Sequence, residues 1–167
     1  LTTITTDLQL PLGFIHTEPA NEDHDGERTF IYISFVATAV PVNVRIGDVM
    51  GQAGGAEGYA DILKAVTAAN LDPGTVVGVS QLLWDWTAHY PSGAGVNDAL
   101  FGFVQRTGLG TVLGDNTTNV DEGIIASGTA GEAATSGGPT LSSFATLRGV
   151  GTGAFPRQQI ARLHCQG

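Results

Sequence analysis

The chain of 167 residues has one cysteine, one lysine, few charges and no long apolar run. With Cys165 alone, no intramolecular disulfide and no cysteine-rich metal site can form. Lys64 is the sole lysine, and 16 Asp and Glu outweigh 7 Lys and Arg, for a formal charge of −9. Phosphate neutralisation needs clustered Lys and Arg, so this balance argues against a nucleic-acid partner. No stretch approaches the roughly 18 apolar residues of a membrane-spanning helix, so no membrane partner is expected. The opening LTTITTDLQLPLG lacks a basic region and a continuous apolar core, and does not read as a signal peptide.

Glycine and small apolar residues are what the chain has in quantity. Hydrophobic residues make up 42% of it, enough to build a core and to argue against intrinsic disorder. A chain of this size buries roughly 70% of its unfolded surface, so one self-sufficient domain over 1–167 is expected. The 24 glycines punctuate short apolar or alternating runs. The run TFIYISFV at 29–36 is rich in aromatic and β-branched residues, which fits a strand covered on both faces. Further strands are expected at 42–46, 48–52, 75–81, 100–107, 110–113, 123–127, 144–149 and 158–164. Many short strands separated by Gly and Pro turns indicate a mainly β fold, a small Gly-rich β-barrel or β-sandwich.

One segment departs from that rhythm. Tyr59, Ile62, Leu63 and Val66 fall at i, i+3, i+4 and i+7, which predicts one short helix over about 57–69. The alternative there is a strand through 61–67. Residues 130–143, AGEAATSGGPTLSS, have little to bury and read as a surface loop or extended arm. The Thr-rich start predicts an extended N-terminal arm over 1–12. Such an arm suits strand addition to a neighbouring sheet, with Leu1, Thr2, Thr3 and Ile4 as interface residues.

Residues that could carry chemistry lack the partners it needs. Ser80 follows Gly78-Val79, but the second glycine of a nucleophile elbow is missing. Cys165 follows His164, yet adjacent strand residues face opposite ways, so Cys165 reads as a small core side chain. The densest potential ligand set is HTEPANEDHDGE at 16–27. Its Glu22, Asp23, Asp25 and Glu27 could attract a hard cation, but the register of an EF-hand loop does not fit. A solvated acidic loop is the simpler reading, and no metal or cofactor is expected. Gly108-Leu109-Gly110 and Gly151-Thr152-Gly153 lack the third glycine and following helix of a phosphate cradle.

Trp84-Asp85-Trp86, followed by His89 and Tyr90, concentrates aromatic surface. On a strand, both tryptophans would share one face. Core packing or a subunit interface through Trp84, Trp86 and Tyr90 is one use of such rings, and stacking on a sugar the other. Arg148, Arg157 and Arg162 give the last twenty residues a mild positive bias that suits contact between copies of an otherwise acidic chain.

The segments GTVVGVSQ at 74–81, ALFGFVQ at 99–105, GLGTVL at 108–113 and DEGIIAS at 121–127 follow one another in a characteristic order, with IGDVMG at 46–51 before them. That order resembles the small β-barrel virion proteins of tailed bacteriophages, the head decoration or cement proteins and related minor capsid proteins. The likeness covers about the last ninety residues and the strand at 46–51. Phe101 stands where that pattern carries a tyrosine, and the stretch at 56–70 has no counterpart in it. The resemblance implies a non-enzymatic capsid decoration subunit that binds between major capsid proteins. It further implies copies assembled as a homo-oligomer, a homotrimer, on the capsid surface of a virion made in the host cytoplasm. A tail or collar component, or a carbohydrate-binding β-sandwich using Trp84, Trp86 and Tyr90, are the alternatives.

Overall fold

Alternation along residues 28–36 sends Ile31, Ile33 and Phe35 to one side of a strand and Phe30, Tyr32 and Ser34 to the other. All six are buried, so both faces of this strand are covered. The computed structural model describes residues 3–20, 26–36, 43–52, 64–66, 75–95, 98–116, 120–136, 143–149 and 151–165. Its elements in chain order are β1 (Ile15–Glu18), β2 (Arg28–Val36), β3 (Val49–Gln52), β4 (Lys64–Val66) and β5 (Val76–Val79). A short helix α1 (Trp86–His89) precedes β6 (Ala99–Gly114), β7 (Gly123–Ala126), β8 (Ala133–Thr135), β9 (Ala145–Gly149) and β10 (Arg157–His164).

Strands β2, β4, β3, β5 and β6 pair in that order, and β6 returns to β2, which closes a five-stranded barrel. The outer strands continue from β6 through β10, β9, β7 and β8, and β8 meets β6 again at Gly114↔Ala133. The mainly β, barrel-forming expectation therefore holds. Strand β6 joins the two parts. Its first half pairs with β2 from Val36↔Ala99 to Thr29↔Thr107, and its second half with β10 from His164↔Thr107 to Arg157↔Gly114. Sequence punctuation predicts two strands here, broken at Gly108. Instead the chain bends without stopping. Gly108 has φ +88°, and a Cβ on it would lie 2.5 Å from the Glu27 carbonyl oxygen. The buried Gln105 side chain holds the bend, its Nε2 donating to the Thr107 and Leu109 carbonyls at 2.9 and 2.8 Å.

Two apolar clusters follow from this layout. Ile31, Ile33, Phe35, Met50, Val77, Leu100 and Val104 gather with Val44, Trp84 and Trp86. Val49, Val76 and Val79 turn the other way, into a second cluster with Val112, Ile124, Phe144, Leu147, Ala161, Leu163 and Cys165. Strands β3 and β5 are thus apolar on both faces because each separates two cores.

Three local expectations are corrected. Of the stretch assigned to a helix over about 57–69, residues 64–66 are strand β4, parallel to β2 at Ser34↔Lys64 and antiparallel to β3 at Gln52↔Ala65. The rest of that stretch lies outside the described residues. Barrel closure between β2 and β3 requires an extended segment there, which overrides the helical spacing. The helix falls instead on Trp86–His89; Asp85 caps it, Oδ1 accepting from the Thr87 and Ala88 amides. Within the expected surface loop at 130–143, β8 pairs with β7, and Gly131, Glu132 and Ala133 are buried. The strand expected at 42–46 reduces, in its described part, to one bridge, Val44↔Trp84.

Candidate interaction surface

The aromatic residues singled out in the sequence form part of the barrel core. Trp84 is wholly buried and Trp86 is 3% exposed. Phe35 meets Trp84 edge-on at 6.1 Å between centroids, and Trp86 stacks on Tyr90 at 5.8 Å. The Tyr90 hydroxyl donates to the Ala99 carbonyl at 2.8 Å. Neither indole presents a face to solvent, and Tyr90 is half-buried against them.

The N-terminal segment lies against its own barrel. Leu1 and Thr2 fall outside the described residues, and Thr3 is exposed. Thr5 exchanges two backbone hydrogen bonds with Phe101 of β6, at 2.9 and 2.8 Å. Ile4 packs onto the core above Gly102, where an added Cβ would come within 2.6 Å of Ile4 Cδ1. The Gln9 amide donates to the Tyr32 hydroxyl at 3.2 Å. From Thr3 onward, the arm expected over 1–12 is therefore folded back along β6 and β2 in this single chain.

That segment leads into β1, whose last three residues belong to the acidic stretch at 16–27 expected to be a solvated loop. Ile15 pairs with Ile31, His16 with Phe30, Thr17 with Thr29 and Glu18 with Arg28. Arg28 also reaches Glu18 Oε2 at 2.8 Å. Tyr32 N–H donates to the Phe14 carbonyl. Antiparallel ladders alternate, so Ile15 and Thr17 turn their amides and carbonyls away from β2. Among the described strands, β1 alone has a neighbour on one side only. Phe14 and Ile15 are 43% and 52% exposed beside this open edge. Phe14, His16 and Tyr32 surround Phe103, with ring centroids 5.1–6.4 Å away.

On β10 the exposed face carries Gln158, Ile160 and Arg162, and the opposite face buries Gln159, Ala161 and Leu163. The Arg157 guanidinium lies over the Phe155 ring at 4.1 Å. Arg157 and Arg162 thus sit on a different strand from the N-terminal segment and from the tryptophans.

Ser80 is buried and hydrogen-bonded to Leu82 and Trp84. Cys165 is buried, and burial pushes its thiol up to about 12, so it is protonated and unreactive at neutral pH. Glu22, Asp23 and Asp25 lie outside the described residues, and Glu27 is exposed. Among the described residues no group of three His, Cys, Asp or Glu is placed to hold a metal ion. No helix among them is long and apolar enough to cross a membrane. Comparison with protein-family models, curated proteins and solved structures finds no match to the chain.

Proposed function

We propose that the protein is a structural virion subunit, a capsid decoration or cement protein that stabilises a tailed-phage head by binding between major capsid proteins. The sequence resemblance supplies the class of particle, and the open edge of β1 supplies a means of attachment. A strand edge that is unpaired among the described residues, with outward amides and carbonyls at Ile15 and Thr17, is a template for an extended segment of another chain. Phe14 and Ile15 give such a segment apolar surface to cover. The partners are the major capsid protein and further copies of this chain, arranged as a homotrimer on the capsid surface. Exposed apolar side chains among an otherwise acidic surface favour contact with protein over contact with packaged nucleic acid.

Cryo-electron microscopy of phage particles bearing a tagged copy of the chain tests this reading. Density for the barrel between capsomers is the expected result. Density on the tail or collar would move the protein to another virion role, and its absence from particles would end the proposal.

A further inference from the structure

His89 ends helix α1 with both ring nitrogens against carbonyl oxygens. Nδ1 lies 2.8 Å from the Asp85 carbonyl within the helix, and Nε2 lies 3.0 Å from the Ile4 carbonyl of the N-terminal segment. A neutral imidazole has one N–H, so it can donate to only one of these acceptors, whereas the imidazolium donates to both. The Asp85 contact is local to the helix. The Ile4 contact joins two elements 85 residues apart in the chain. We infer that His89 is a protonation-controlled latch: its charged form straps the N-terminal segment onto the barrel, and its neutral form loosens that segment.

In the latch, the single proton of the neutral ring sits on Nδ1, against the nearer carbonyl of Asp85. Nε2 then presents a lone pair to the Ile4 carbonyl, and an attraction becomes a repulsion. What remains on the segment is the Thr5–Phe101 pair of backbone bonds, the Ile4 side chain over Gly102 and the Gln9–Tyr32 bond. The charged groups on the packed elements are Asp85 on α1, Asp7 on the N-terminal segment, Asp98 at the entry to β6 and Arg106 further along that strand; Tyr90 is a further titratable group beside the helix. Asp85 Oδ1 is engaged by the helix amides and Asn43, Asp98 Oδ2 accepts from the Gly95 amide, and Tyr90 donates to Ala99. Imidazole is the side chain whose charge change falls in the physiological range, so pH is the variable that tests the latch. It does not depend on the virion reading, because it concerns how this chain holds its own first residues.

Amide hydrogen exchange on the full chain tests the latch, read as protection factors so that the intrinsic pH dependence of exchange is removed. Protection at Thr5 and Phe101 is expected to fall about tenfold between pH 5.5 and 7.5, the effect of one charge-assisted hydrogen bond. Barrel amides such as Ile33 and Leu113 should stay unchanged. His89→Gln should abolish the step. A wild-type profile that is flat over this range overturns the latch, and so does an equal step in the variant. If the variant does not fold, the wild type still decides. The Thr5 step must share its midpoint with the NMR titration of the His89 ring, and a separate midpoint assigns it to another group.

Discussion

The Trp84 indole N–H donates to the Ser80 hydroxyl at 2.9 Å, and neither residue is accessible to solvent. The same hydroxyl donates to the Leu82 carbonyl at 2.7 Å and accepts from the Leu82 amide at 3.3 Å. A hydroxyl with its donor and both acceptor sites engaged pins the chain after β5 to the barrel core. Ser80→Ala leaves the buried indole N–H without a partner and should cost about 1–3 kcal/mol in urea unfolding. Trp84→Ala also removes the ring that fills the core and should cost about 3–5 kcal/mol. Native tryptophan fluorescence should resist acrylamide quenching, and Ser80→Ala should leave that resistance largely intact.

Gly102 sets how closely the N-terminal segment approaches. A methyl group there meets the far end of the Ile4 side chain at 2.6 Å and the Trp84 ring at 3.4 Å. The flexible Ile4 terminus gives way before the buried indole does. Gly102→Ala should therefore lift the first residues while the barrel stays folded. Limited proteolysis should show faster cleavage within the first twelve residues, with thermal unfolding lowered by only about 1 kcal/mol.

The strands that were legible in the sequence are those with large side chains in alternation. Residues 28–36 declare themselves because aromatic and branched residues occupy both faces. Strand β8 does not, because Ala-Ala-Thr gives no amplitude to an alternation; small side chains are what fit where β8 meets β6 and β7. Strand β1 is hidden for the opposite reason. Ile-His-Thr-Glu is mostly polar and exposed, and only its pairing with β2 makes it a strand. Around α1 the signal was present but outweighed. Asp85 two and three residues before the amides it caps is a helix start, while flanking tryptophans suggest a strand. His89 stood out only as part of an aromatic group, because its acceptor on Ile4 is distant in the chain.

Asp48 is a second buried polar anchor, 2% exposed. Its Oδ2 accepts from the Arg45 amide at 2.8 Å, and its Oδ1 meets the Arg45 guanidinium at 2.9 Å. Arg45 also reaches Glu132 Oε1 at 3.5 Å and the Ala130 carbonyl at 3.4 Å, so one cation ties the entry of β3 to the turn before β8. Asp48→Ala strands the Arg45 amide and frees the guanidinium. The half-exposed arginine can rehydrate, so the expected loss lies near the lower end for a broken buried pair, about 3 kcal/mol. Arg45→Met should cost more than Glu132→Gln, because it leaves the buried Asp48 carboxylate without its cation.

Cys165 gives a pH dependence with a definite sign. Burial raises its thiol from an ordinary 9.0 to about 12 in the folded chain, with Arg106 opposing part of that rise. Between those values the unfolded chain has lost a proton that the folded chain keeps. Stability from this group is full below pH 9 and declines as pH rises from about 9 toward about 12. Cys165→Ala should flatten that part of an alkaline unfolding profile. A thiol reagent at pH 8 should leave the native protein unmodified and label one cysteine after denaturation.

Strand β1 separates folding from attachment. Thr17 N–H points away from β2, so proline at that position removes no ladder bond and is tolerated on an edge strand. Thr17→Pro should change the unfolding free energy by less than about 1 kcal/mol. It should nevertheless block strand addition, both by removing the outward donor and by placing a ring where an incoming backbone must pair. Ile15→Lys acts on the same edge by another route, setting a hydrated charge where an apolar contact is expected. If the β1 edge attaches the protein, both variants should lose self-association in sedimentation and occupancy on particles while their circular dichroism stays native. A matched substitution on β10, Arg162→Ala, should leave edge-mediated association unchanged. Loss of association with Arg162→Ala but not with Thr17→Pro would transfer the contact to β10.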